Sequence, residues 1–153
     1  MSNSKTFDPK EIFGNAFAEA EAPDGYIVTD SLEVIPEVDW EAQVKVVYAS
    51  VGKTAKGFPK VTIGFEEVGV ESAPRLFDNF STSASMMGNQ VTARRLISAG
   101  ANPELVKSGD LEKIAESFMG IVSNVRCTSH DEGKLDGRLF PQYSWISEDD
   151  IDS

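Results

Sequence analysis

The chain reads as a mainly β domain: five short strands with a helical insert between the third and fourth. Three observations carry that reading. Apolar and polar residues alternate over several short stretches; turn-rich segments with glycine or proline separate them; and the period shifts from about two to about 3.6 between residues 86 and 119. At 153 residues, with 41% hydrophobic and 25% charged side chains, the chain is one domain's worth, which excludes collagen-like and wholly disordered classes.

The elements follow in order. Residues 1–37 show little period beyond a short helical stretch at Ala16–Ala20, ahead of Pro23 and Gly25, and read as an acidic, partly ordered lead-in. From Val38 the alternation is clean, with Trp40, Ala42, Val44, Val46 and Tyr48 on one face and Asp39, Glu41, Gln43 and Lys45 on the other, the pattern of a half-buried strand. Val51–Phe58 is a turn with two glycines and two lysines, and Pro59 permits only the start of the next strand, Lys60–Val68. Gly69–Pro74 breaks the pattern before a third strand, Arg75–Ser81. Met86 to Ile97 then follow helical spacing up to a stop at Gly100. Asn102-Pro103 opens a short helical turn, and Asp110 caps a helix over Leu111–Met119 with Leu111, Ile114, Ala115 and Phe118 as its apolar stripe. Two closing strands, Ile121–Ser129 and Arg138–Ile146, flank the turn-rich loop 131–137. This is the layout of an OB-fold, a partly open five-stranded Greek-key barrel, over residues 38–146; an SH3-like barrel or another small β-sandwich is the runner-up.

Net charge is −11, which by itself argues against a polyanionic ligand, but its distribution reverses that conclusion. Residues 1–43 hold two lysines against ten acids, residues 44–147 hold twelve cations against eleven acids, and the tail 147–153 holds four acids, Glu148, Asp149, Asp150 and Asp152. The body is near neutral and the acidity sits at the ends. Such a tail is either a solvated end or a detachable polyanion that lies in a cationic groove until nucleic acid displaces it.

Several chemistries lack their residues. One cysteine, Cys127, cannot form an internal disulfide, and with His130 it has the spacing of only half a zinc site, so neither metal nor cofactor is expected. Gly52-Lys-Thr54 resembles the end of a phosphate-binding loop, but Val47 stands where its first glycine belongs and the string lies between strands. His130 is the only histidine, in a loop, so no nucleophilic triad is expected and the chain reads as a non-enzyme. No apolar run approaches the ~20 residues of a membrane span, and the N-terminus has no signal-like apolar core, which points to the cytoplasm.

What remains is the interleaving of aromatic and basic residues, the combination single-stranded nucleic acid requires: rings stack on unpaired bases while cations follow phosphates. Lys45, Lys53, Lys56, Lys60, Arg75 and Arg138 are the candidate phosphate contacts, and Phe58, Phe77 and Tyr143 the candidate stacking rings. Trp40, Phe65 and Phe118 read as core, and Arg94 and Arg95 as a solvated helix face. In the last strand Tyr143 and Trp145 share one face and Phe140 and Ile146 the other, so one aromatic set lies outside the core.

Trp40–Val68 resembles the first hairpin of phage-encoded single-stranded-DNA-binding proteins with an OB-fold. The resemblance extends through Arg75–Phe80, the helix ending Arg95–Gly100 and the closing strands. It implies a protein that coats exposed strands during DNA replication, recombination and repair in a host cytoplasm. The acidic tail of such proteins contacts DNA polymerase and other replication proteins, and Glu148–Ser153 is similar in charge, although it ends Ile151-Asp152-Ser153 where those tails often end in an aromatic residue. A homodimer is compatible with this reading. The competing class is an acidic protein-interaction or assembly module whose aromatics are all core.

Overall fold

The computed structural model describes residues 8–19, 21–133 and 137–146. The tail residues Glu148, Asp149, Asp150 and Asp152 therefore lie outside the described residues. Helix α1 (Pro9–Glu19) starts with proline in its first position, and the Asp8 carboxylate accepts the Lys10 N–H at 3.0 Å. A hairpin of β1 (Tyr26–Val28) and β2 (Val34–Pro36) follows. The remaining strands, β3 (Glu41–Lys53), β4 (Pro59–Glu67), β5 (Leu76–Ser81), β6 (Val122–Glu132) and β7 (Leu139–Ile146), form one antiparallel sheet in the order β5-β4-β3-β6-β7. Among the described residues no helix is long and apolar enough to cross a membrane.

The expectation of a mainly β chain holds, and two finer points are corrected. The five-stranded sheet is not a closed barrel: β5 and β7 are its edges and share no backbone ladder. The helices α2 (Met86–Ala99), α3 (Pro103–Ser108) and α4 (Leu111–Phe118) follow the fifth strand of the chain, not the third, because β1 and β2 precede the large sheet. Those two strands span three residues each, too few to display a period of two. They dock by side chains. The Tyr26 hydroxyl donates to Glu67 at 2.9 Å, the Tyr26 ring lies 5.4 Å from that of Trp40, and His130 Nε2 is 2.6 Å from the Pro36 carbonyl oxygen. His130 thus ties β6 to β2.

Helix boundaries fall where local chemistry put them. Ser85 caps α2 by accepting the Gly88 N–H, Asn102 caps α3 ahead of Pro103, and Asp110 caps α4. Gly100 ends α2 at φ 119°, where a Cβ would sit 2.6 Å from Ile121 Cγ2, so both backbone and space require glycine. Helix α4 buries Ile114, Ala115 and Phe118 beneath the sheet, and the Phe118 ring stacks on Phe80 at 6.0 Å.

Across the open seam the two edge strands meet through side chains. Trp145 on β7 packs on Phe65 at 4.9 Å and on Phe80 at 6.4 Å, and its Nε1–H donates to Asp78 of β5 at 2.8 Å. Arg95 of α2, expected on a solvated face, instead pairs with Asp78 at 2.5 Å and lies over the Phe80 ring at 4.7 Å. Burial pushes the Asp78 carboxyl above the usual carboxylate range while Arg95 and the Trp145 donor pull it back. Replacing Asp78 by Ala strands Arg95 and the indole N–H together. With Arg95 a third exposed, the expected loss is about 2–3 kcal/mol, below the ~3–5 kcal/mol of a fully buried pair, read as a lower urea midpoint at unchanged slope.

Candidate nucleic-acid interface

One residue sorts the outer face of the sheet. Val44 and Val46 point into the core, but the register of β3 on β4 slips between Val46 and Tyr48, leaving Val47 as the extra residue of a β-bulge. Everything after it changes face. Tyr48, expected to share the face of Val44 and Val46, turns outward at 42% exposure. Opposite it on β4 stands Gly64, and opposite Gly64 on β5 stands Phe77, 52% exposed. The Tyr48 and Phe77 rings meet edge to face at 6.1 Å across the glycine. A Cβ on Gly64 would lie 3.0 Å from both Phe77 Cε1 and Tyr48 Cβ, so the glycine is what lets the two side chains converge.

The register gives this face its remaining members: Glu41, Gln43, Lys45, Ser50 and Gly52 on β3, Lys60, Thr62 and Glu66 on β4, and Asn79 and Ser81 on β5, with Arg75 immediately ahead of β5. Three cations, Lys45, Lys60 and Arg75, stand against two acids, Glu41 and Glu66, in a chain of net charge −11. Arg75 pairs with Glu66 through Nε at 3.3 Å, and Lys45 lies opposite Glu66 in the ladder. Beyond the far end, the turn joining β3 to β4 exposes Lys53 and Lys56 and half-buries Phe58. The Thr54 hydroxyl accepts the Phe58 N–H at 3.1 Å, and Gly57 takes φ 89°.

Next to the platform, the gap between β5 and β7 is a groove of about 570 Å³. Arg75 and Phe77 line one wall, Arg138 and Phe140 the other, and Glu33–Ile35 close one side. Phe140 is 43% exposed, with the Arg138 guanidinium over its ring at 5.4 Å. Arg138 also pairs with Glu33.

Of the residues singled out from sequence, Lys45, Arg75 and Phe77 come together beside Tyr48, and Arg138 faces them across the groove. Lys60 stands at the other end of the same face, and Lys53, Lys56 and Phe58 occupy the turn beyond it. Tyr143 is the exception. It is 7% exposed with its ring edge-on to Phe65 at 5.2 Å, so it presents no face to a base. Burial pushes its hydroxyl well above the usual phenol range, and among the described residues that hydroxyl has no hydrogen-bond partner. Of the two aromatic sets in the last strand, Tyr143 and Trp145 are inside and Phe140 is outside. Tyr48 and Phe140 are the rings that sequence reasoning missed as site members. The only sequence signal for Tyr48 was the consecutive apolar run Val46-Val47-Tyr48, which interrupts a strict alternation.

Among the described residues no three His, Cys, Asp or Glu side chains are grouped to hold a metal ion. Comparison with protein-family models and with curated protein sequences finds no match.

The orphaned Tyr143 hydroxyl makes a direct prediction. Removing it by Tyr143→Phe keeps the ring packing and deletes an unsatisfied buried group, so stability should hold or rise by about 1 kcal/mol in urea unfolding.

Proposed function

We propose that this chain is a sequence-tolerant single-stranded-DNA-binding protein, acting by binding rather than catalysis, and that its five-stranded sheet is an OB-type barrel left open at the β5–β7 seam. The observation that carries this reading is the exposed Tyr48–Phe77 pair on a sheet face that also holds Lys45, Lys60 and Arg75, beside a groove walled by Arg75 and Arg138. Exposed rings on a sheet offer π-faces that any base can use, worth ~1–3 kcal/mol per stacked base, while the flanking cations neutralise phosphates. Selectivity for the single strand follows, because bases paired and stacked in a duplex present no free face.

The resemblance of residues 38–146 to phage single-stranded-DNA-binding proteins supports the same reading and extends it to coating exposed strands in replication, recombination and repair. In this proposal the acidic residues Glu148, Asp149, Asp150 and Asp152 recruit DNA polymerase or another replication protein. The competing protein-interaction module required all aromatics in the core, and the exposure of Tyr48, Phe77 and Phe140 weighs against it.

The test is fluorescence anisotropy of a labelled oligo-dT of a few tens of nucleotides, beside the matching duplex, at low and physiological salt. The expected result is binding to the single strand alone, weakened by salt. Tyr48→Ala and Phe77→Ala should each lose about 1–3 kcal/mol of binding free energy. Absence of binding at low salt, or single-strand affinity indifferent to both substitutions, overturns the proposal.

A further inference from the structure

Arg138 stands between two clefts. One is the groove toward Arg75 and Phe77; the other, of about 530 Å³, is walled by the turn of the β1–β2 hairpin and by Gly137–Leu139. From the hairpin, Glu33 reaches Arg138 and pairs with one of its terminal nitrogens. The carboxylate is presented on a built turn: Thr29 N–H donates to the Glu33 carbonyl at 2.8 Å, Glu33 N–H donates to the Thr29 hydroxyl at 3.1 Å, and Leu32 between them takes φ 63°. At its other end the hairpin is anchored by the Tyr26–Glu67 and His130–Pro36 contacts.

The two arginines of the groove are held differently. Arg75 is engaged through Nε, by a neighbour on the adjacent strand of its own sheet. Arg138 is engaged on its terminal fork, the part of a guanidinium that grips carboxylate and phosphate alike, by an acid from a separate element. Both partners of that pair are partly exposed, at 47% and 34%, so the pair is weak and open to exchange.

Building on the strand-binding reading, we propose that the β1–β2 hairpin is an internal competitor for the groove: Glu33 occupies the Arg138 fork that a backbone phosphate would take, and yields it when a strand enters. Binding then exchanges one carboxylate for one phosphate at Arg138. Affinity is held below what the cations alone would give, and the acidic N-terminal region acquires a role in setting it.

A charge-matched mutant cycle tests this on the full chain with labelled oligo-dT at low salt. Glu33→Gln should tighten binding about two- to fivefold, the scale of an exposed ion pair, and steepen the dependence of log affinity on log salt by about one phosphate contact. Asp30→Asn, an equal change of charge at an exposed position of the same turn, should leave affinity near that of the unsubstituted chain. On an Arg138→Gln background the Glu33→Gln gain should vanish. Glu33→Ala is the second variant, expected to show the same gain, with thermal midpoints confirming that each protein is folded. The proposal is overturned if Glu33→Gln binds no tighter, if Asp30→Asn gains as much, or if the gain survives without Arg138. Those outcomes, with the unsubstituted chain still binding, leave the strand-binding reading standing. Failure of every protein to bind removes both.

Discussion

Trp145 holds together a sheet that its backbone leaves open. With no ladder between β5 and β7, the edges of the five-stranded sheet are joined by an indole ring seated on Phe65 and Phe80, with its N–H on Asp78 and Arg95 closing the far side of that carboxylate. Joining edges by side chains keeps them farther apart than the ~4.8 Å of a hydrogen-bonded strand pair. The space left over is the groove between Phe77 and Phe140. The same open seam therefore supplies both the burial that stabilises the core and the concavity in which the candidate interface lies.

The interface depends on a second constraint, the single extra residue in β3. Without the Val47 bulge, strict alternation would have carried Tyr48 into the core side and left Phe77 beside an unoccupied glycine. With it, two rings meet over Gly64, whose missing side chain is a requirement of space rather than of backbone conformation. A bulge thus does what alternation cannot, placing an aromatic residue from an apolar run on a solvent-facing surface.

Charge is partitioned on a similar principle. Acids dominate the N-terminal region and the tail, while the outer face of β3–β5 keeps Lys45, Lys60 and Arg75 against Glu41 and Glu66. The N-terminal hairpin brings its acidity back to the groove at a single point, Glu33 against Arg138. A net charge of −11 is thereby compatible with a local surface whose cations outnumber its acids, since screening limits exposed charges to about 8–10 Å of influence at moderate salt.

Local chemistry alone determined much of the secondary structure. The alternation of β3, the caps at Asn102 and Asp110, the stop at Gly100 and the buried stripe of α4 are written in residues a few positions apart, and each forms where those residues require it. Part of the interface was legible for the same reason, because Arg75 and Phe77 sit on a strand of mixed faces with little apolar pattern to claim them. Tertiary structure decided what depends on partners distant in the chain. A bulge becomes visible only against the paired strand, so Tyr48 could not be placed outside from its own sequence. Tyr143 and Phe140 compete for the core on equal terms until Phe65 and Phe80 supply the ring contacts that draw Tyr143 and Trp145 inward. Arg95 on α2 reads as solvent-facing until Asp78 appears beside it from β5. The three-residue strands β1 and β2 have no pattern long enough to read and exist because Trp40, Glu67 and His130 provide a surface on which they pair.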